Sequence, residues 1–417
     1  MGIPATLRPP QPLTSREWRI LALFGIVGIT QGWAGSAITH ALPFVQTEFG
    51  LSDARVFDLM AVVRAVALVA IVLSWWSDHR GRRRPLLIAL LILTAGNLAT
   101  GLTASFASFV ALQSVARIGT IAIGALAIVV LAEEVAPAIR GYAIALYSLL
   151  GSMGTGLGLL LRPLADADPT AWRLLFLLSS APILVLPFLT RSLRESRAFT
   201  PPPRRQRLTA VLGTTHAGRF WRMAALSFAL SAFSSPVANL ALIRLENGLD
   251  WSTGAASLML VLSSTPGVIL GLLIGGRLAD TAGRRPTQAI AIGVGVVGGV
   301  AFYSVEGWLL GVAMFLATFG GSAFAPAFAS HRSELFPTEI RSTAAAWLVN
   351  AAIAGGLVGF AAGRFAVEAW GLSITIAVLG AGVALAATAL VGLPETKGLT
   401  IHEPAAGTDP PTGAIPV

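Results

Sequence analysis

The sequence predicts an all-α integral membrane protein: twelve transmembrane helices in two six-helix bundles that are copies of one unit. Composition is the first observation behind this. Of 417 residues, 55% are hydrophobic and only 12% charged. A soluble domain carries about 25% charged residues, so lipid solvates most of this surface. Run length is the second. Apolar stretches continue for about 20 residues, enough for a helix to cross a hydrocarbon core of about 30 Å. A bilayer interior permits only helices or a closed barrel, and barrel strands would alternate over roughly 10 residues. Duplication is the third. Asp78-His79-Arg80-Gly81-Arg82-Arg83 returns as Asp280-Thr281-Ala282-Gly283-Arg284-Arg285. The phrase from Glu134 to Arg140 returns as Glu334 to Arg341, and Arg194-Glu195-Ser196-Arg197 as Pro394-Glu395-Thr396-Lys397. Three phrases in one order mean two copies of one unit, the usual architecture of a secondary transporter with its site between the halves.

Met1 to Arg19 is polar and proline-bearing, without the apolar core and cleavage site of a signal peptide. The first run, roughly 19–44, is therefore kept as a span. The next five lie at roughly 55–76, 85–106, 108–132, 141–162 and 172–191. Residues 192–219 form the boundary between halves: Pro201-Pro202-Pro203 stops a helix, and the neighbouring arginines suit anionic headgroups. Six more runs follow at roughly 220–243, 254–277, 287–305, 308–330, 343–366 and 372–393. The bundles are thus 1–191 and 220–393, with a cytoplasmic linker at 192–219 and a cytoplasmic tail at 394–417. From about residue 405 the tail has too little apolar bulk to offset its ordering entropy, and disorder is expected. Arginine-rich loops gather on one side, which is assigned to the cytoplasm together with both termini. The expected location is the plasma or inner membrane.

The net charge of +9 does not indicate nucleic acid, because the arginines sit in short loops where topology accounts for them. There is no cysteine, hence no disulfide framework or thiolate site. No phosphate-binding loop, His-Glu-x-x-His motif or nucleophile–base constellation is present. No cofactor, metal or enzymatic activity is expected.

In the stretch from Asp78 to Arg84 an acid ends span two, a glycine turns the chain and cations precede Pro85. One reading is a topology anchor with a turn. The other is a gate, in which Asp78 accepts N–H groups at a helix N-terminus and Arg82 pairs with an acid on another span. This loop resembles the one after spans two and eight in the major facilitator superfamily. Glu134 to Arg140 and Glu334 to Arg341 are similar to that superfamily's phrases after spans four and ten. Leu393 to Leu399 resembles the phrase after the last span of its sugar-porter branch, and Leu193 to Phe199 the one after span six. The resemblance covers residues 15–403. It implies two six-helix bundles, alternating access and a cytoplasmic latch of charge pairs between bundles. It further implies Glu134, Glu195, Glu334 and Glu395 as acid partners of Arg82, Arg140, Arg284 and Arg341, with Asp78 and Asp280 completing the gate. Three departures stand out. Ser74 replaces the loop's usual first glycine, span seven lacks the sugar porters' paired glutamines, and span one lacks the usual proton-coupling aspartate.

Ions inside a span are costly, so embedded ones are functional candidates. Arg117, near the middle of span four, either binds an anionic group or bonds carbonyls of a neighbouring helix. Spans one and seven line the cavity in the superfamily, which makes Gln31 and Asn239 substrate-binding candidates, with Trp347 and Asn350 on span eleven. Asp58 and His40 are the candidates for proton coupling. Span five carries Gly151, Gly154, Gly156 and Gly158, suited to close helix packing, and lacks the Gly-Pro dipeptide of the superfamily's drug antiporters. Embedded cations outnumber acids. The reading is a secondary active transporter, monomeric in the lipid bilayer and proton-coupled. Its expected cargo is a small polar or anionic organic solute, either sugar-like or a carboxylate metabolite. The alternatives are proton-driven efflux of drugs or hydrophobic metabolites, and a non-transporting membrane sensor.

Overall fold

The computed structural model describes residues 12–136, 139–193, 195 and 216–397, and of Ile71, Asp78, His79, Gly141 and residues 338–343 the backbone alone. The tail from 405 and most of the linker lie outside the described residues. Among those residues every regular element is helical. Ten stretches are long and apolar enough to cross a bilayer. The last, Ala344–Gly392, is 49 residues long and turns at Gly371, where φ is 76°. That is where the sequence divides spans eleven and twelve. Ala217–Asn239, at the seventh expected span, is helical but is not among the ten. Ser227, Ser231, Ser234 and Ser235 lower its apolarity.

The chain forms two compact units. Unit 1 holds Met1–Arg205 and Asn239–Val261. It contains α1 (Ser15–Glu48), α2 (Asp53–Ala67), α3 (Ala70–Arg80), α4 (Arg83–Gly101), α5 (Phe106–Glu134) and α6 (Arg140–Leu161). Thr14 starts α1 with a capping box: its side chain accepts from the Glu17 N–H while the Glu17 carboxylate accepts from the Thr14 N–H. The sixth span is broken into α7 (Arg173–Ser179), a 3-10 turn and α8 (Leu186–Ser192), with Pro182 and Pro187 at the breaks. Helices α1 and α6 meet along glycines. A Cβ built on Gly154 would lie 2.2 Å from the Ile29 carbonyl oxygen, and one on Gly32 1.8 Å from that of Gly151. Val27, Leu86, Ile123 and Leu131 fill the core beside this seam, fully buried.

Asn239–Val261 joins unit 1 through polar contacts. It holds the last residue of α9 (Ala217–Asn239), α10 (Ala241–Glu246) and the start of α11 (Thr253–Thr281). Asn247 donates to the Gln46 side chain at 2.8 Å and Thr253 to Asp166 at 2.8 Å.

Unit 2 holds Gln206–Ala238 and Leu262–Val417. Besides most of α9 and α11 it contains α12 (Arg284–Phe302), α13 (Leu309–Leu335) and α14 (Thr338–Ala387). The glycine seam recurs in this unit between α9 and α14. A Cβ on Gly355 would lie 2.0 Å from the Phe228 carbonyl oxygen, and one on Gly359 2.1 Å from that of Ala232.

Candidate functional site

The duplicated loops are built alike. Gly81 and Gly283 have φ of 103° and 115°, a region that costs any residue with a Cβ. A Cβ there would also lie 2.6 Å from the Glu195 carboxylate or 2.9 Å from that of Glu395. Glu395 accepts from the backbone N–H of Arg284 at 2.8 Å and of Arg285 at 2.9 Å. Glu195 accepts from Arg82 at 2.5 Å and Arg83 at 3.2 Å. Each carboxylate thus caps a helix N-terminus, whose free N–H groups and dipole favour an anion. Burial works against ionisation of Glu395. The N–H groups of Arg284, Arg285, Lys397 and Thr396 outweigh it and hold the carboxyl below its ordinary pKa.

These caps correct the pairing that the resemblance implies. Glu195 and Glu395 hold backbone, because the arginine forks are engaged elsewhere. Arg82 donates from Nε and Nη2 to Glu133 at 3.2 and 3.0 Å. Arg284 donates likewise to Glu334 at 3.2 and 3.0 Å, and from Nη1 to Asp280 at 2.6 Å. The acid on Arg82 is Glu133 rather than Glu134, which pairs with Arg16 at 2.5 Å. The sequence held the signal. Glu133 precedes Arg140 by seven residues, as Glu334 precedes Arg341, whereas counting back from the proline selects its neighbour. Arg140 itself is exposed at the start of α6 and pairs with no acid among the described residues. The side chains of Asp78 and Arg341 are not among those described. Each of these ion pairs sits inside one unit. Each braces its own bundle.

Within the spans of unit 1 a polar cluster joins α1, α5 and α6. Gln31 donates from Nε2 to the Thr120 carbonyl at 3.0 Å and accepts from the Tyr147 hydroxyl. Arg117, one turn before Thr120, is half-buried and donates to the Gly35 carbonyl on α1 at 3.5 Å. The carbonyl contact is the structural alternative expected for it, but it uses one long bond of a five-donor group. Among the described residues no carboxylate pairs with Arg117. Arg64, on α2, is half-buried. Asp58 is half-buried on the same helix. Tyr147 escapes sequence reasoning, since a lone tyrosine in a span reads as packing.

The remaining candidates fall elsewhere. Asn239 ends α9 and accepts from the Thr39 hydroxyl at 2.8 Å. Thr39 is about 12 Å along α1 from Gln31 at 1.5 Å per residue. On α14 of unit 2, Trp347 is exposed and Asn350 half-buried. His40 is buried against Gly158, where a Cβ would lie 2.6 Å from its Nδ1. Its carbonyl accepts from Arg162 Nε at 2.7 Å.

Arg162 also escapes sequence reasoning, since it is the last residue of the fifth expected span. It is fully buried at the end of α6. Its fork grips Glu246 at 2.5 and 2.8 Å, Nη1 also donates to Ser257 at 3.0 Å, and the guanidinium stands 5.2 Å from the Phe44 ring. Burial pushes the Glu246 carboxyl above its ordinary pKa, and Arg162 pulls against that.

Solved structures share this architecture. A D-xylose–proton symporter aligns with a TM-score of 0.76 at 20% identity, over 93% of this chain and 100% of its own. A bacterial homologue of the human lysosomal transporter Spinster, inward-facing and occupied, aligns at 0.74 and 18%, over 92% and 97%. Among curated proteins, a probable 4-methylmuconolactone transporter of Cupriavidus pinatubonensis is 26% identical over 92% of this chain and 95% of its own length. A cis,cis-muconate transport protein of Acinetobacter baylyi is 26% identical over 84% and 88%. Residues 24–252 and 224–413 each match the family model, so the chain belongs to the Major Facilitator Superfamily, a family of membrane transporters.

Proposed function

We propose that this chain carries a small organic carboxylate across the cell membrane by alternating access, coupled to protons. It acts as a monomer with both termini in the cytoplasm. One observation carries the substrate reading. Arg117 lies within the apolar spans of unit 1 with one long bond to the Gly35 carbonyl, and no described carboxylate is bonded to it. A charge is costly where the dielectric is low, and a ligand anion beside it offsets that cost. An arginine fork matches a carboxylate in two bonds. Gln31 and the Tyr147 hydroxyl, on the facing helices, add uncharged groups that orient a solute. The names of the two bacterial relatives support this chemistry: muconate is a dicarboxylate, and a muconolactone keeps one carboxylate. In this reading the loop braces, Arg82 with Glu133 and Arg284 with Glu334, together with the Glu195 and Glu395 caps, keep each loop rigid while the bundles move. Asp58 and His40 are the proton-coupling candidates of the spans.

The test is a ligand-dependent thermal shift on purified protein. cis,cis-Muconate should raise the unfolding midpoint and D-xylose should not. Arg117→Gln should abolish the shift while remaining folded without ligand. Stabilisation by xylose alone would replace the carboxylate reading with the sugar one.

A further inference from the structure

Unit 2 buries a histidine that the transport reading does not use. His331, near the end of α13, has no solvent exposure. Its Nδ1 lies 2.8 Å from Gln288 Nε2 on α12, and its Nε2 lies 2.9 Å from the Pro394 carbonyl oxygen. A carbonyl only accepts, so Nε2 carries the proton. An amide nitrogen only donates, so Nδ1 is the bare acceptor. The ring in this arrangement is neutral. Beside it, Gln288 Oε1 is buried without a hydrogen-bond partner. Turning the amide by half a rotation brings that oxygen onto Nδ1. The ring then holds a second proton with both N–H groups bonded, one to Oε1 and one to Pro394.

The first copy shows that packing does not require this pair. Gly119 of α5 sits against Ala89 and Leu93 of α4, as Gly320 of α13 sits against Ala291 and Gly295 of α12. In that register Gln288 corresponds to Leu86 and His331 to Val130, both in the buried core of unit 1. Two apolar side chains fill in one unit the place that two polar ones fill in the other. Burying polar groups where apolar ones fit costs desolvation and gains no contact.

We propose that His331 and Gln288 form a proton-binding site in unit 2, at the end that carries the arginine loops, with the Gln288 amide as its switch. The charged groups around it come from every neighbouring element. Glu334 and Arg332 share its helix, Arg284 and Arg285 lie on α12, Asp280 on α11 acts through Arg284, and Glu395 follows α14. Pro394 immediately precedes the carboxylate that caps α12. A second proton makes the bond to Pro394 charge-assisted and so tightens the hold on residues 393–397. The site stands on the geometry of unit 2 alone, whatever the solute.

The chain has five histidines, so 15N-histidine labelling of the whole protein in detergent gives a readable spectrum. Signals lost in His331→Gln belong to His331. Between about pH 8 and 5, the range in which histidine changes charge, they should pass from one protonated nitrogen to two. Signals that keep the single-proton pattern to pH 5 overturn the proposal. The pair Gln288→Leu with His331→Val imports the first copy's residues and should fold. Measured against that variant, hydrogen exchange at the Arg284 and Arg285 amides should slow as His331 gains its proton. A ratio that stays constant through the titration would remove the link to the Glu395 cap.

Discussion

A guanidinium with no solvent exposure depends entirely on its acceptors, and Arg162 divides its donors among Glu246, Ser257 and the His40 carbonyl. Removing one partner of a buried ion pair strands the other charge at a cost of about 3–5 kcal/mol, whereas replacing both with apolar residues is often neutral. Arg162→Met should therefore lower the thermal midpoint more than Arg162→Met combined with Glu246→Leu. Equal losses in the two variants would deny the pair its energetic role. Glu395 gives a second prediction at this scale. Its carboxyl is held below the ordinary value, so the charged form contributes stability above the unfolded pKa of about 4.3. That contribution disappears as pH falls through the lower, folded value. The midpoint difference between wild type and Glu395→Gln should be full at neutral pH and vanish in stronger acid. A difference that grows on acidification would contradict the cap. Arg162 and Glu133 show why single residues are hard to read from sequence. A loop arginine and a buried one look alike until the chain end opposite is known, and adjacent glutamates differ only in which way the helix turns them.

Helices in this protein pack where side chains are missing. Gly151, Gly154, Gly156 and Gly158 all suggest a contact stripe, but only three of them face α1; Gly156 has open space around it. Overpacking costs about 1–3 kcal/mol where a neighbour can yield, and a backbone oxygen 2.2 Å from the Gly154 Cβ position cannot. Gly154→Leu should destabilise the purified protein by at least that much, while Gly156→Leu should leave the midpoint within a degree or two. Comparable losses at both sites would mean that the seam is set by something other than close approach. The elements themselves were legible because lipid imposes length and apolarity on every span. Their interruptions were less so. The breaks at Pro182 and Pro187 and the division of the second span into α2 and α3 depend on what each helix packs against.

At the scale of the whole molecule, composition and the repeated loops made the family readable from the chain alone, because both copies must meet the same demand at Gly81 and Gly283. The candidate solute site was readable only in part. Gln31 and Arg117 stand out as polar residues in apolar runs, and the structure sets them beside Thr120 and Tyr147. Asn239 stands out equally, yet it lies at a helix end against Thr39. Periodicity reports that a residue is inside a span, not which neighbour it will meet. Uptake of radiolabelled cis,cis-muconate into proteoliposomes tests the carboxylate reading most directly. Wild-type protein should give saturable uptake that an inward proton gradient accelerates and unlabelled dicarboxylates compete, while Arg117→Gln should cut it by more than about tenfold, since one hydrogen bond to a charged group contributes roughly 1.5–3 kcal/mol. Folded wild-type protein that takes up no muconate, or an Arg117→Gln variant that transports at the wild-type rate, would contradict the account.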